Sequence, residues 1–379
     1  MAGIYLHIPF CKSRCIYCDF YSQTDETPID KFTEAVCREV RLRKQMLANE
    51  TVRTVYFGGG TPSRLQQKHL EKIFDTLYAE FSMDNLVEVT LEANPDDLSP
   101  AYIGMLRRLP FNRISIGIQS FNDDELKFLG RRHSSQDAVK AVKNCQQMGF
   151  ENISIDLMYG LPDQTPEIWQ KNLQRAVSLD VRHISAYHLT YEENTPLYGL
   201  LQKGKICPVD EERSSTLFTL LIDTLAEGGF IHYEISNFAK PGYFSRHNSS
   251  YWKGDKYLGL GPSAHSFDGN KRSWNTASLT DYLNGVFSGN LSYETEHLTL
   301  YRHYNEFILT RLRTREGIDT LELKERFGES LYRYCLKGAQ KFIAENLLNF
   351  QNNILKLTRK GIFISDGIIS ELMQVDTNE

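Results

Sequence analysis

The sequence predicts an α/β fold, a partial (β/α)6 barrel followed by a small C-terminal helical domain of winged-helix character. Three observations predict it. Short β-rich runs alternate six times with amphipathic helical patterns at a spacing of roughly 30 residues, the size of a strand–helix–strand unit. Polar or glycine-rich residues follow nearly every strand. Past about Thr295 the alternation stops, and helices precede a β-like stretch.

Tyr5–Ile8 reads as the first strand. Pro28–Met46 reads as a helix with Ile29, Phe32, Val36 and Val40 on one face, the i, i+3, i+4 spacing of an amphipathic helix. Val52–Phe57 is the second strand, and Leu65–Phe81 a helix turning Leu70, Phe74 and Leu77 inward. Val87–Ala93 is the third strand. Ser99-Pro100 opens the next helix, a capping residue followed by proline at the first helical position. Arg113–Ile118 is the fourth strand, and Ser134–Met148 a helix closed by Gly149. Ile153–Leu157 is the fifth; Thr165-Pro166 starts a helix to Leu179, and Ile184–Leu189 is the sixth. Asp210–Gly228 and Phe230–Ile235 add one more helix and strand. Helices at Leu298–Thr314, Thr320–Phe327 and Leu331–Glu345 then precede β-like Ile354–Leu357 and Gly361–Ile364. This order divides the chain into a barrel domain, 1–290, and a C-terminal domain, 291–379.

Repeated parallel units with right-handed crossovers fit an open doubly wound sheet or a barrel. The strand ends favour the barrel. The cysteine loop, Gly58-Gly59-Gly60-Thr61, Glu92, Gln119, Asp156 and His188 all follow strands. A barrel brings such ends to one face, whereas an open sheet spreads them along an edge.

A chain of 379 residues, 41% hydrophobic, is long enough for a large core and a second domain. Its net charge of −5 supplies no basic field for nucleic acid. Residues 296–379 carry 12 Lys+Arg against 12 Asp+Glu, so the helical domain lacks the basic excess of a DNA-reading wing. No apolar run approaches the roughly 18 residues of a membrane anchor. The opening MAGIYLHIPFCKSRC has no apolar signal-peptide core. Seven cysteines, an odd number, argue against a disulfide framework and for a reducing cytosol. Cys37, Cys145, Cys207 and Cys335 read as ordinary thiols.

Cys11, Cys15 and Cys18 form a C-x3-C-x2-C cluster. Three thiolates are one short of the four that usually hold a cubane iron–sulfur cluster, so one iron keeps an open position. The competing reading is a structural zinc site with His7 as fourth ligand. Gly58-Gly59-Gly60-Thr61-Pro62 lets backbone approach a ligand closely. It is neither a Walker A loop nor a dinucleotide fingerprint, and alone it is as readily a plain turn. Beside the cysteines it is informative.

Together these segments resemble the radical S-adenosylmethionine superfamily and, within it, the oxygen-independent coproporphyrinogen III oxidase family. The resemblance spans the chain and rests on IYLHIPFCKSRCIYCDF, YFGGGTPS, LEANPDD, RISIGIQSF, ISIDLMYGLP and GLGPSAHSF. It implies a [4Fe–4S] cluster on Cys11, Cys15 and Cys18, with S-adenosylmethionine chelating the fourth iron. It further implies Tyr5 near the cluster and cofactor, and Tyr17 packed on the adenine. Gly60 and Thr61 would hold the methionyl amine, and Glu92 and Gln119 would meet polar groups of the cofactor. Arg131 would face its carboxylate, and Asp156 would accept from the ribose.

Two departures argue against the decarboxylating oxidases of that family. Those carry a fourth cysteine, C-x3-C-x2-C-x-C, where Phe20 stands here, and a longer segment before the cluster than the ten residues preceding Cys11. Arg246-His247-Asn248-Ser249-Ser250-Tyr251-Trp252 contains H-N-x-x-Y-W, which resembles the haem-chaperone branch of the family. That branch implies haem as cargo, His247 as an axial ligand, Tyr251 and Trp252 against the porphyrin, and an acceptor protein. His265 is a second imidazole to consider. A cluster-linked homodimer is compatible with the motif.

Overall fold

The computed structural model describes residues 2–48 and 50–375. The six expected strands are present: β1 (Ala2–Ile8), β2 (Val52–Gly59), β3 (Glu88–Ala93), β4 (Arg113–Gln119), β5 (Asn152–Tyr159) and β6 (His183–His188). They lie side by side, in sequence order and parallel. The helices between them fall where apolar periodicity (the first two) and start and stop signals (the other three) placed them: Ile29–Arg43, Gln67–Glu80, Pro100–Leu106, Ser135–Gln147 and Pro166–Ser178.

The sheet reaches further than six strands. Past β6, two short antiparallel strands, β7 (Ile231–Glu234) and β8 (Asn237–Ala239), close one edge. Beyond β1 the chain adds β9 (Lys256–Leu260), which is parallel to β1. The antiparallel strands β10 (His265–Phe267), β11 (Lys271–Asn275) and β12 (Tyr293–His297) continue from it. The ends never meet, so the barrel is partial. A buried ion pair ties this extension down: Arg43 contacts Glu39 at 3.1 Å and donates to Gly259 O and Ser266 Oγ.

Strand alternation sorts the side chains. Ile4, Leu6, Ile8, Val55, Phe57, Val89, Leu91, Ile153 and Ile155 face the helices and are buried in one core. Their neighbours Thr54, Tyr56, Thr90, Glu92, Ser115, Asp156 and Ser185 alternate onto the other face. Facing residues pair in register: Tyr5 with Tyr56, Glu92 with Ser115, Asp156 with Ser185. The lumen is therefore polar.

The expected boundary at 290/291 precedes β12, which still pairs with β11. The second hydrophobic core gathers around Tyr304, Phe307, Phe327, Leu331 and Leu355. Its long helix Thr320–Ala344 is interrupted at Gly328 (φ 82°), where the sequence placed a break. β13 (Ile318–Asp319), β14 (Leu348–Gln351) and β15 (Ile354–Leu357) form its small sheet. One expectation fails: residues 361–364 are not β-like, because Thr358 caps a short helix, Arg359–Ile362, by accepting from Gly361 N–H. Two backbone hydrogen bonds, Ile235 N to Arg313 O and Arg315 N to Tyr233 O, join this domain to the barrel. Ion pairs Arg313–Glu234 (3.0 Å) and Arg272–Glu306 (2.7 Å) do the same.

Candidate functional site

The cysteine loop leaves the end of β1. Reciprocal backbone bonds, Cys11 N to Gln23 O and Gln23 N to Pro9 O, pin its two ends together. Ile16 N–H donates to Leu129 O, and Leu197 N–H to Ile16 O, which fastens the middle of the loop to the far side of the barrel. The three thiols are free and partly exposed. Burial pushes the Cys11 thiol up, and pushes Cys18 up to about 11, with Cys15 and Cys11 adding to the latter. Bound metal reverses this, because a coordinating thiol is deprotonated. Among the described residues no group of three His, Cys, Asp or Glu side chains is gathered tightly enough for a single ion. His7 is no fourth ligand: its Nε2 bonds Tyr21 O at 2.8 Å and its Nδ1 meets Tyr5 OH at 3.3 Å.

The glycine loop packs against this cluster. Gly60 N–H donates to Ile8 O. A Cβ on Gly60 would stand 2.9 Å from Ile8 O and 3.1 Å from Cys11 Sγ, so only glycine fits. Thr61 Oγ1 donates to Cys11 Sγ at 3.4 Å and accepts from Asn94 Nδ2 at 3.3 Å. Arg131 donates to Cys15 Sγ (3.3 Å), Gly117 O (2.6 Å) and Asn94 Oδ1. Asn94 thus couples Thr61 to Arg131. The sequence reading missed it, although it directly follows β3. Tyr17 packs on the small cluster of Leu129, Met158, Leu161, Leu189 and Leu197, near Arg131 and the thiols.

Deeper in the lumen stand two carboxyls with no ion pair among the described residues. Glu92 Oε1 accepts from Tyr56 OH at 2.7 Å, and burial raises its pKa to about 7 against that hydrogen bond. Burial likewise raises Asp156 to about 6, opposed by hydrogen bonds from Ser185 and Ser115. Tyr5 stacks on Tyr56 at 6.1 Å. Gln119 ends β4 with φ +70°, a conformation that non-glycine residues seldom adopt and that clusters at functional sites. Thiols, a cationic donor and lumen carboxyls held only by hydroxyl groups make a fit for an iron–sulfur cluster with a ligand carrying both an amine and a carboxylate.

The H-N-x-x-Y-W segment lies at the opposite end of the strands, on helix Arg246–Lys253. Buried Glu88, at the start of β3, accepts from the backbone N–H of Arg246 and His247, both at 2.9 Å. A carboxylate at a helix N-terminus is favourable. This aims His247 into the barrel floor, where it is 1% exposed. Its Nδ1 pairs with Thr54 Oγ1 at 2.8 Å, its Nε2 with Tyr251 OH at 2.7 Å, and its ring stacks on Tyr56 at 5.1 Å. Burial drives its pKa down to about 3, so it is neutral. Both ring nitrogens of His247 are thus engaged by hydroxyl groups in this conformation. His265 is exposed and stacks on Trp274 at 5.8 Å.

Comparison with known proteins agrees with the geometry. Residues 5–176 match the Radical SAM superfamily, and residues 298–364 match the HemN C-terminal domain. "Heme chaperone HemW" of Bacillus subtilis (strain 168) is 32% identical over 376 residues, covering 98% of this chain and 99% of that protein. The chain belongs to the HemW family. "Heme chaperone HemW" of Synechocystis is 37% identical over 71% of this chain and 66% of that protein. The fold is that of the Escherichia coli coproporphyrinogen III oxidase HemN, a radical SAM enzyme: TM-score 0.86, 21% identity, 98% of this chain and 90% of that one. Phe20, two residues after Cys18, is 60% exposed. Among the described residues no helix is long and apolar enough to cross a membrane.

Proposed function

We propose that this protein is a haem chaperone that binds haem and passes it to an acceptor protein in the cytoplasm. The observation that carries this reading is its end-to-end similarity to proteins named "Heme chaperone HemW". Cys11, Cys15 and Cys18 would hold a [4Fe–4S] cluster, and the residues around them would hold S-adenosylmethionine. The cluster, when bound, supplies the reducing electron for the sulfonium. Gly60 and Thr61 receive the methionyl amine, and Arg131 its carboxylate. Asp156 accepts from the ribose, Glu92 and Gln119 take the remaining polar groups, Tyr17 packs on the adenine, and Tyr5 walls the lumen. Support comes from the paired supports of Arg131 and Thr61 on Asn94. It comes also from Glu92 and Asp156, two lumen carboxyls held by hydroxyl groups.

The test is a haem titration of anaerobically purified, cluster-reconstituted protein, run beside an assay for coproporphyrinogen decarboxylation. Stoichiometric haem binding without decarboxylation is the expected result. Decarboxylation without haem binding overturns the reading.

A further inference from the structure

Between the helix that carries the H-N-x-x-Y-W segment and the C-terminal domain lies a cleft of about 500 Å³, within the range of small-molecule sites. Trp252, Tyr257 and Phe267 wall it from the barrel side, and His303, Phe307 and Phe327 from the C-terminal side. Flat aromatic walls on both sides suit a flat apolar ligand. Two polar atoms on these walls, Trp252 Nε1 and Arg272 Nε, are buried with no hydrogen-bond partner among the described residues. Such orphans are rare in native proteins and call for an explanation.

We infer that this cleft is the haem site, with His303 as the iron ligand, Trp252 on the porphyrin, and Arg272 and Arg326 for its propionates. The inference rests on the haem-chaperone reading above.

Four features support it. His303 sits in the first turn of helix Leu300–Leu312, half-buried, and no hydrogen bond to its ring nitrogens occurs among the described residues. Burial and the charge of Arg326 hold its imidazole toward the neutral form, which is the ligating form. Arg326 lies over Phe307 and Phe327 at 5.1 and 5.3 Å and pairs with Glu322 at 3.1 Å, and Arg272 pairs with Glu306. Both guanidinium groups can exchange those contacts for a carboxylate in bidentate geometry. Finally, a second cleft of about 470 Å³, on the barrel floor, has no imidazole or thiol on its walls.

The same geometry gives His247 a different role. Tyr251 lines the cleft, and its hydroxyl is tethered from below by His247 Nε2. His247 is a positioning residue, holding the Tyr251-Trp252 face toward the ligand.

The experiment is a titration of the full-length protein with ferric haem and, separately, with metal-free protoporphyrin IX. It is followed by Soret absorption and electron paramagnetic resonance. Wild type is compared with His303→Ala, Arg326→Gln and His247→Gln. His303→Ala is expected to weaken ferric haem at least about tenfold and to lose the histidine-ligated spectrum. Its affinity for protoporphyrin IX should stay within about twofold, and added imidazole should restore the spectrum. Arg326→Gln is expected to weaken both porphyrins. His247→Gln should keep the ligated spectrum of bound ferric haem. If wild type takes up no haem, the chaperone reading falls and this one with it. If wild type binds haem with an unchanged spectrum in His303→Ala, the cleft assignment alone is overturned.

Discussion

The two ends of the barrel use similar residue types in opposite ways. At the mouth, polar side chains are left under-satisfied. Cys18 is raised by burial among its neighbouring thiols, and burial raises Glu92 and Asp156 toward neutrality, in Asp156 against the nearby charges of Arg113 and Arg131. At the floor, both ring nitrogens of His247 are paired, with Thr54 and Tyr251, and Glu88 accepts from the helix that carries it. The under-satisfied end awaits a ligand; the satisfied end holds a shape. An aromatic column joins them: His247 stacks on Tyr56, and Tyr56 on Tyr5, whose hydroxyl meets His7.

Removing a thiol should have the largest effect. Cys15→Ala is expected to abolish the brown chromophore after reconstitution, with iron and sulfide near background, while the circular dichroism spectrum is retained. Full iron incorporation would break the contrast by making the mouth as self-sufficient as the floor.

Gly60→Ala comes next. Its methyl group would press on Ile8 O and Cys11 Sγ, so thermal unfolding should report a loss of about 1–3 kcal/mol, and S-adenosylmethionine binding by calorimetry should weaken with it.

At the floor, His247→Ala leaves Thr54 and Tyr251 without their partner, at an expected cost of about 1–3 kcal/mol. The pH dependence has a defined sign. His247 titrates at about 3 in the fold instead of near its ordinary 6.5, so the unfolded chain binds the proton first. Stability is full above pH 6.5 and falls as pH drops from there toward 3. Denaturant titrations across that window should show a shallower acid limb in His247→Gln.

Glu92→Gln should give the smallest and opposite change. The carboxyl is raised from 4.5 to about 7 in the fold; the native state therefore holds the proton longer, and stability falls as pH rises from 4.5 to 7. The ligand-free variant should be more stable than wild type at pH 8, by about 1–2 kcal/mol after allowing for partial solvation, and indistinguishable at pH 4. A loss of stability at pH 8 would show that the carboxylate already has its partner.

Legibility followed the length scale of each feature. The cysteine loop and the glycine loop are contiguous and sit at strand ends, so spacing and position announced them. Asp156, Glu92 and Gln119 were readable because they lie near the ends of successive parallel strands, where strand alternation and register bring Glu92 and Asp156 into the lumen. Asn94 was not, since its role depends on Arg131, 37 residues later, bending back to it. The strands β9 to β12 were missed because they are short and join the edge beside β1, where no local periodicity points.

By itself the sequence determined the parallel strand–helix core, the thiol cluster and the break in the last long helix at Gly328, all set by local periodicity, spacing and backbone freedom. Tertiary structure alone decided which way the H-N-x-x-Y-W helix faces. Glu88, 159 residues before His247, accepts from that helix's N-terminus and turns the imidazole into the barrel floor. A helix presents different residues on every side, and only its packing partners select which side meets a ligand.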